Sequence, residues 1–232
     1  MLMLGNYSNA QKIIAADINS VSEEHASLFS EVIVQDHKGR MKPVHTLTRE
    51  VLRKISRSEK FNGLNADQVI LSMFANKQVW RNIPMIKVGK HEQLRSLLGI
   101  GTEYASYVDF FETRSGQYKL REEVRRAYGL QPIDRGMLEK EIMKVDERLN
   151  ITSMIFSGSL FKLIPVPNDA NNKWISSRQD HGEEELDYTV AEKFFPSYQQ
   201  SLEQAMSSGD YNLPDLILLE LKQYQNKYGS NV

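Results

Sequence analysis

Apolar residues recur at steps of three and four along most of this chain, which is the spacing of one face of an α-helix. The longest such stretch runs over residues 134–163 and carries Leu138, Ile142, Val145, Leu149, Phe156, Leu160 and Leu163. Similar spacing predicts helices over residues 19–30, 46–55, 65–83, 91–98, 102–111, 117–128, 188–207 and 213–228. Only residues 32–34 and 85–88 form the short apolar runs typical of strands. The pattern predicts a mainly α fold, an irregular multi-helix domain with at most a small two-stranded β element.

Local signals indicate where several of these helices begin or bend. Ser20 and Glu23 have the spacing of a capping box before the first helix, and Asn65 and Gln68 have it before the third. Pro196 lies inside the helix predicted over residues 188–207, where a proline removes a hydrogen bond and clashes with the preceding turn. We therefore expect a kink or break at Pro196.

The chain is long enough, at 232 residues, to bury one large core. Residues 1–18 lack a clear pattern, and we expect a flexible N-terminal arm. Residues 19–232 are predicted to form a single, mostly helical domain. The acidic run over residues 180–187 is interpreted as a solvated loop within it.

The segment from Gln35 to Leu52, Q-D-H-K-G-R-M-K-P-V-H-T-L-T-R-E-V-L, joins a basic turn to a helix start. Gly39 tolerates a positive φ, while Pro43 fixes its own φ and pushes Lys42 out of the helical region. Thr46 is suited to cap the helix that follows. A sharp turn fixed to a rigid helix is therefore predicted, and the helix has one apolar face made by Leu47, Val51, Leu52 and Ile55.

This segment, as V-Q-D-x-x-G-R-x-K-P-x-x-T-L-x-R-E-V-L, resembles the extracytoplasmic region of the fused ResB/CcsA-type proteins of system II cytochrome c maturation, particularly the long Bacteroidetes forms. Further similar segments follow in matching order over roughly residues 34–229. They are N-A-D-Q-V from Asn65, I-P-x-I-K-V from Ile83, V-D-E-R-L-N-I from Val145, I-P-V-P-N-D-A-N-N-K-W from Ile164 and Y-Q-N-K-Y-G from Tyr224.

The resemblance implies a periplasmic location, on the outer side of the bacterial inner membrane. It further implies that the chain is a portion of a membrane cytochrome c synthase that exports haem and acts as a haem lyase. Membrane helices outside this sequence would anchor it. The domain would dock or position apocytochrome c or other maturation proteins, such as a thioredoxin-like reductant. Haem would be handled elsewhere in the full-length protein, so neither a bound cofactor nor catalytic activity is expected of this domain alone.

Composition narrows the classes of function. The formal net charge of −1 provides no global field for a polyanion, so no nucleic-acid partner is expected. No apolar run approaches the roughly 18–20 residues that a membrane span needs. The chain has no cysteine, which excludes disulfides, thiol nucleophiles, iron–sulfur clusters and covalent haem attachment through C-x-x-C-H.

Residue types that carry catalysis are sparse. The five histidines are His25, His37, His45, His91 and His181. They form no H-E-x-x-H pair and no two-histidine helical spacing, so no metal site is predicted. Paired carboxylates occur at Glu139 and Glu141 and over residues 183–185, where solvated faces are the usual explanation. No catalytic site is predicted, and a hydrolase that uses these acids is the weakest of the functional hypotheses.

Basic residues concentrate between positions 37 and 60. They are Lys38, Arg40, Lys42, Arg49, Arg53, Lys54, Arg57 and Lys60, and the only acids among them are Glu50 and Glu59. This excess can meet haem propionates, an acidic partner or lipid headgroups, with Arg40 as the best carboxylate clamp. It can equally be a solvated helix face. Alternatively, Arg40 pairs internally with Asp36, which would make the turn structural.

The roles of two histidines and one tryptophan stay open at this point. Neutral imidazole can ligate haem iron, and His37 and His45 flank the turn, but the favoured interpretation is that one helps to cap the helix and the other is exposed. Trp174 can present an aromatic ring to a partner or, as we favour, can attach its loop to the core. The candidate binding set is Gln35, Asp36, His37, Gly39, Arg40, Lys42, Pro43, His45, Thr46 and Trp174. The leading hypothesis is a docking module in c-type cytochrome assembly; the alternative is a helical protein-interaction scaffold unrelated to haem.

Overall fold

The computed structural model describes residues 19–177 and 189–229, and within them nine α-helices dominate. The helices are α1 Glu23–Ser30, α2 Val44–Ser56, α3 Ala66–Ala75, α4 Lys77–Trp80, α5 Glu92–Leu98, α6 Arg121–Gly129, α7 Met137–Ser157, α8 Thr189–Ser208 and α9 Asn212–Tyr228. The prediction of a mainly α fold is confirmed. The expected N-terminal arm, the acidic run at 180–187, His181 and the acids at 183–185 lie outside the described residues.

The described strands are only two or three residues long and form three antiparallel pairs, whereas the sequence predicted at most one pair. They are β1 Ile33–Gln35 with β2 Met41–Pro43, β3 Ile86–Lys87 with β4 Tyr104–Ala105, and β5 Ile164–Pro165 with β6 Trp174–Ile175. Strand β1 overlaps the predicted run at residues 32–34 and β3 lies within the predicted run at residues 85–88, whereas the other four strands were not predicted.

The long helix α7 packs against α2, α3 and α6, and α8 packs against α3 and α9. Helix α9 also contacts α1 and β5, so the end of the described chain lies beside its beginning. Aromatic rings fill the space between these helices: Phe161 meets Phe29 and Phe74 edge-on at centroid distances of 5.6 Å each. Burial of such an amphipathic set supplies most of the stability of a helical domain.

The predicted apolar faces are confirmed. In α2, Leu47, Val51, Leu52 and Ile55 are all buried. The capping box at Asn65 and Gln68 forms as predicted: the Gln68 backbone N–H donates to Asn65 Oδ1 at 2.9 Å, and the Asn65 N–H donates to Gln68 Oε1.

Several helix boundaries differ from prediction. The cap of α1 is Ser22, whose Oγ accepts from the His25 N–H at 3.1 Å, and not Ser20. Helix α7 stops at Ser157 rather than continuing to residue 163, because Gly158 takes a left-handed conformation with φ of 77° and closes it. Helix α8 runs through Pro196, so the break, one of the two expected outcomes, does not occur.

The helix predicted over residues 102–111 is wrong. Tyr104–Ala105 pairs with Ile86–Lys87 as β4, and only Val108–Phe110 forms a short 3₁₀ turn. Asp109 Oδ2 accepts from both the N–H and the hydroxyl of Ser106 at 2.7 Å. Such side-chain bonds compete with helical ones, and strand pairing across the chain decides the outcome. Among the described residues, no helix combines the length and the apolar character that crossing a bilayer requires.

Candidate functional site

The predicted turn at Gly39 is the tip of a β-hairpin. Strands β1 and β2 pair with Val34 opposite Lys42, and the turn closes when the Asp36 N–H donates to the Arg40 carbonyl at 2.8 Å. The Gly39 N–H donates back to the Asp36 carbonyl at 3.0 Å, and Gly39 has φ of 78°. This is the region that favours glycine, as predicted from the sequence.

Asp36 holds the hairpin together from inside. Its Oδ1 accepts from the backbone N–H groups of Lys38 at 2.8 Å and Arg40 at 3.0 Å, and its Oδ2 accepts from Arg40 Nε at 3.1 Å and Nη2 at 2.9 Å. Burial alone would raise the pKa of Asp36, but these backbone and guanidinium donors outweigh it and hold that pKa well below its usual range. The alternative in which Arg40 pairs internally with Asp36 is the one the structure adopts.

Gln35 and Trp174, both in the candidate set, meet each other inside the molecule. Gln35 Oε1 accepts from the Trp174 backbone N–H at 2.9 Å, and its Nε2 donates to the Asn172 carbonyl at the same distance. Trp174 is 1% exposed, with its indole N–H directed to Asn172 Oδ1 at 3.4 Å. Trp174 therefore attaches its loop to the core, as favoured from the sequence, and does not present a ring to a partner.

The structure at the start of α2 differs from the predicted role of Thr46 as the helix cap. Pro43 occupies the N-cap position, without a side-chain cap bond, while Thr46 lies inside the first turn and is exposed. Thr46 is therefore not the cap. Lys42 is mostly covered, and its Nζ lies 2.6 Å from Glu50 Oε2.

His45 is oriented by a buried carboxylate on the next helix. Its Nδ1 lies 2.7 Å from Asp67 Oδ2, and Asp67 Oδ1 accepts from the Thr48 hydroxyl. Half of the His45 side chain (51%) remains exposed, whereas Asp67 is buried. His37, at the hairpin tip, is exposed. The predicted pairing of one capping and one exposed histidine is wrong for His45, which bonds Asp67 rather than a helix end.

His45 has polar neighbours on its own helix, because Thr46 and Arg49, which flank it on α2, are both exposed. In the part of the chain that the structure describes, no group of three or more histidine and acidic side chains is placed to hold a metal ion.

Much of the basic cluster is paired within the molecule. Arg53 and Arg49 both approach Glu59, and Lys54 Nζ lies 2.7 Å from Glu147 Oε2. These are exposed pairs, which contribute little to stability but reduce the local excess of charge. Among the described residues, Lys38, Arg57 and Lys60 have no carboxylate at ion-pair distance. The accessible cationic surface is therefore smaller than the sequence suggests. Lys38 is the part of this surface that lies at the hairpin tip.

No protein-family profile matches this sequence. Over 159 residues the chain is 46% identical to Protein NrfI from Wolinella succinogenes. The two chains are related. The aligned region covers 68% of this chain and 17% of NrfI, so the chain spans less than a fifth of the relative's length.

The tip of the Gly39 hairpin combines exposed cationic side chains with a turn that Asp36 fixes from inside. It presents His37, Lys38 and Arg40 on a backbone held rigid by Asp36, and Arg40 keeps 69% of its side chain exposed. The Arg40 nitrogens Nε and Nη2 are bound to Asp36, so only its remaining N–H groups can bind a carboxylate or a peptide carbonyl.

Sequence reasoning missed one polar cluster entirely. His25, noted only as one of five histidines, is itself buried and lies at the centre of a group with Tyr198, Tyr211 and Asp215. Its partners are 173 and 190 residues away along the chain. No local spacing could have indicated the group.

Proposed function

We propose that this chain is a docking region of a larger c-type cytochrome biogenesis protein, located on the periplasmic side of the bacterial inner membrane. The observation that carries the proposal is the 46% identity to NrfI over 159 residues. The resemblance of motifs over residues 34–229 to the ResB/CcsA-type system II proteins also supports it.

The docking role is assigned to the Gly39 hairpin. A partner that must be held while its haem is attached has an unfolded segment with accessible carbonyls and acidic side chains. The exposed Lys38 and the braced Arg40 offer donors of matching chemistry at low entropic cost, because the turn is already rigid. Apocytochrome c is the proposed occupant, and a thioredoxin-like reductant is a proposed neighbour in the same assembly.

Haem is proposed to be handled by other parts of the longer protein. The exposed and polar neighbours of His45 on α2 support this division. The domain on its own is proposed to bind rather than to catalyse, and membrane attachment is proposed to reside outside residues 19–229.

Binding of a reduced peptide that carries one C-x-x-C-H sequence tests the docking role. Fluorescence anisotropy of the labelled peptide with the purified chain is expected to show saturable binding. The substitution Lys38→Glu reverses the charge at the hairpin tip, and we expect it to raise Kd by about tenfold, equivalent to ~1.4 kcal/mol. Lys38 contributes only its backbone N–H to the turn, so the fold remains.

The matched control is Lys77→Glu, an exposed charge reversal on α4. It is expected to leave Kd unchanged. Failure to bind the peptide, or equal weakening by both substitutions, would contradict docking at the hairpin. A parallel haem titration followed in the Soret band is expected to show no saturable site, and a saturable site lost in His45→Ala would contradict the division proposed for haem.

A further inference from the structure

His25 is the most enclosed histidine of the described residues, and both of its ring nitrogens are engaged. Its side chain has no exposed surface. Nδ1 lies 2.5 Å from Asp215 Oδ1 on α9, and Nε2 lies 2.8 Å from the Tyr198 hydroxyl on α8. The imidazole therefore connects α1 to both helices of the α8–α9 pair.

Proton positions follow from the partners. A carboxylate only accepts, so the proton on Nδ1 is donated to Asp215, and neutral Nε2 then accepts from the Tyr198 hydroxyl. Burial raises the pKa of Tyr198 well above its usual value, so this hydroxyl keeps its proton. If Nε2 gains a proton, it donates to the hydroxyl oxygen, and the hydroxyl proton must then turn to another acceptor. Among the described residues it has no second acceptor at hydrogen-bond distance.

The other titratable groups around His25 come from every helix that packs on it. Glu24 on α1, Tyr211 before α9 and Asp215 line a cavity of about 420 Å³ beside the ring, together with Ser20, Ser22 and Met206. Tyr211 stacks on His25 at a centroid distance of 5.3 Å, and its hydroxyl accepts from the Ser22 N–H at 3.0 Å. No basic residue lines this cavity.

We propose that His25 is an acid-released latch: while neutral it holds α8 and α9 against α1, and protonation of its Nε2 places a charge in the buried junction, leaves the Tyr198 hydroxyl proton without an acceptor and so loosens the pair. The proposal rests on the three-helix junction and on the hydrogen-bond pattern that only the neutral ring satisfies. It stands independently of the docking function.

The direction of the pH effect follows from linkage. Burial lowers the pKa of His25 below its usual 6.5, against the opposing hydrogen bond and charge of Asp215. The released state then binds a proton more readily than the latched state. The stabilisation from the latch is complete above pH 6.5 and is lost as the pH falls below that value.

Helix α9 carries the effect of the latch toward the hairpin. About three turns beyond Asp215, Gln225 accepts from the Ile33 N–H at 3.3 Å and donates to the Ile33 carbonyl at 2.9 Å. Ile33 begins β1, which leads into the Gly39 turn. Release of α9 therefore removes one contact at the base of β1, while the pairing of β1 with β2 still holds the turn.

Amide hydrogen exchange at pH 7.5 and pH 5.5, corrected for intrinsic rates, tests the latch. Protection of residues 189–229 is expected to fall at least tenfold at the lower pH, while the amides of α2 and α7 keep theirs. His25→Gln, which cannot titrate, is expected to abolish this pH dependence. The exposed-histidine control His37→Gln is expected to retain it.

A second variant keeps the test decisive if His25→Gln does not fold. Asp215→Asn retains an oxygen acceptor for the Nδ1 proton but removes the charge that favours the imidazolium, so the acid-induced loss of protection should grow severalfold. Equal loss in all helices, persistence of the effect in His25→Gln, or no change in Asp215→Asn would each overturn the latch.

Discussion

The Gly39 hairpin and the His25 junction are each organised around one buried polar side chain. The hydrogen-bond partners of that side chain are close in sequence in the hairpin and distant in sequence in the junction. All of the donors to Asp36 come from residues no more than four positions away. The partners of His25 lie 173 and 190 residues away and on two other helices. The hairpin is thus a local structure attached to the fold, whereas the junction exists only when three helices have already packed.

This difference predicts how far the effect of a substitution extends through the structure. Loss of a donor in the hairpin frees one turn, since the helices pack without it. Loss of His25 leaves the buried Tyr198 hydroxyl without a partner and opens a void where α1, α8 and α9 meet, so the effect belongs to the whole helical assembly.

The largest expected effect comes from His25→Ala. The substitution combines a cavity with an orphaned hydroxyl, and we expect the free energy of unfolding to fall by about 3 kcal/mol. Urea unfolding followed by circular dichroism measures it. A decrease in the free energy of unfolding of less than about 1 kcal/mol would contradict the comparison. The junction would then contribute no more to stability than a surface turn does.

A smaller and confined effect is expected from Asp36→Asn. The uncharged amide binds the backbone N–H groups and the Arg40 guanidinium less strongly, so we expect a loss of about 2 kcal/mol that is restricted to the hairpin. Faster amide exchange at Lys38 and Arg40, with α1 and α8 unchanged, would show this. Glu59→Gln is the control, because it breaks only exposed ion pairs and should cost less than ~0.5 kcal/mol.

Acidification separates the same two regions. The depressed pKa of Asp36 means that the hairpin keeps its full stabilisation above the usual value of 3.8 and loses it only as the pH falls below that. The junction responds from pH 6.5 downward. A pH titration in which the hairpin amides lose protection at a higher pH than the junction amides would contradict this order.

The smallest effect is expected from Gly39→Ala. A methyl group there meets no atom within 4 Å, so the cost comes only from the positive φ of 78° and should be about 1 kcal/mol. Gly101→Ala is a matched control, since that site is equally open but needs no positive φ. Equal unfolding free energies for the two variants would remove the conformational argument for Gly39.

The candidate site was predictable to the extent that it is local. The glycine turn and the Arg40–Asp36 pair follow from neighbouring residues. The capping box at Asn65 and the apolar face of α2 follow from fixed helical spacing. Thr46 failed as a cap because Pro43, three residues earlier, already sets the extended φ and ψ that an N-cap needs. Asp67 as the partner of His45 was not predictable, because it lies on the next helix.

Periodicity and turn chemistry in the sequence alone determined the mainly α class, most helix positions and the turn at Gly39, because these depend on contacts within a few residues. Tertiary packing alone decided that residues 104–105 pair as a strand, that Gln35 binds the backbone of Trp174, and that His25 joins α1 to α8 and α9. These contacts join residues 17 to 190 positions apart. Their free energy appears only when distant segments meet, and no short-range pattern in a chain encodes which segments will do so.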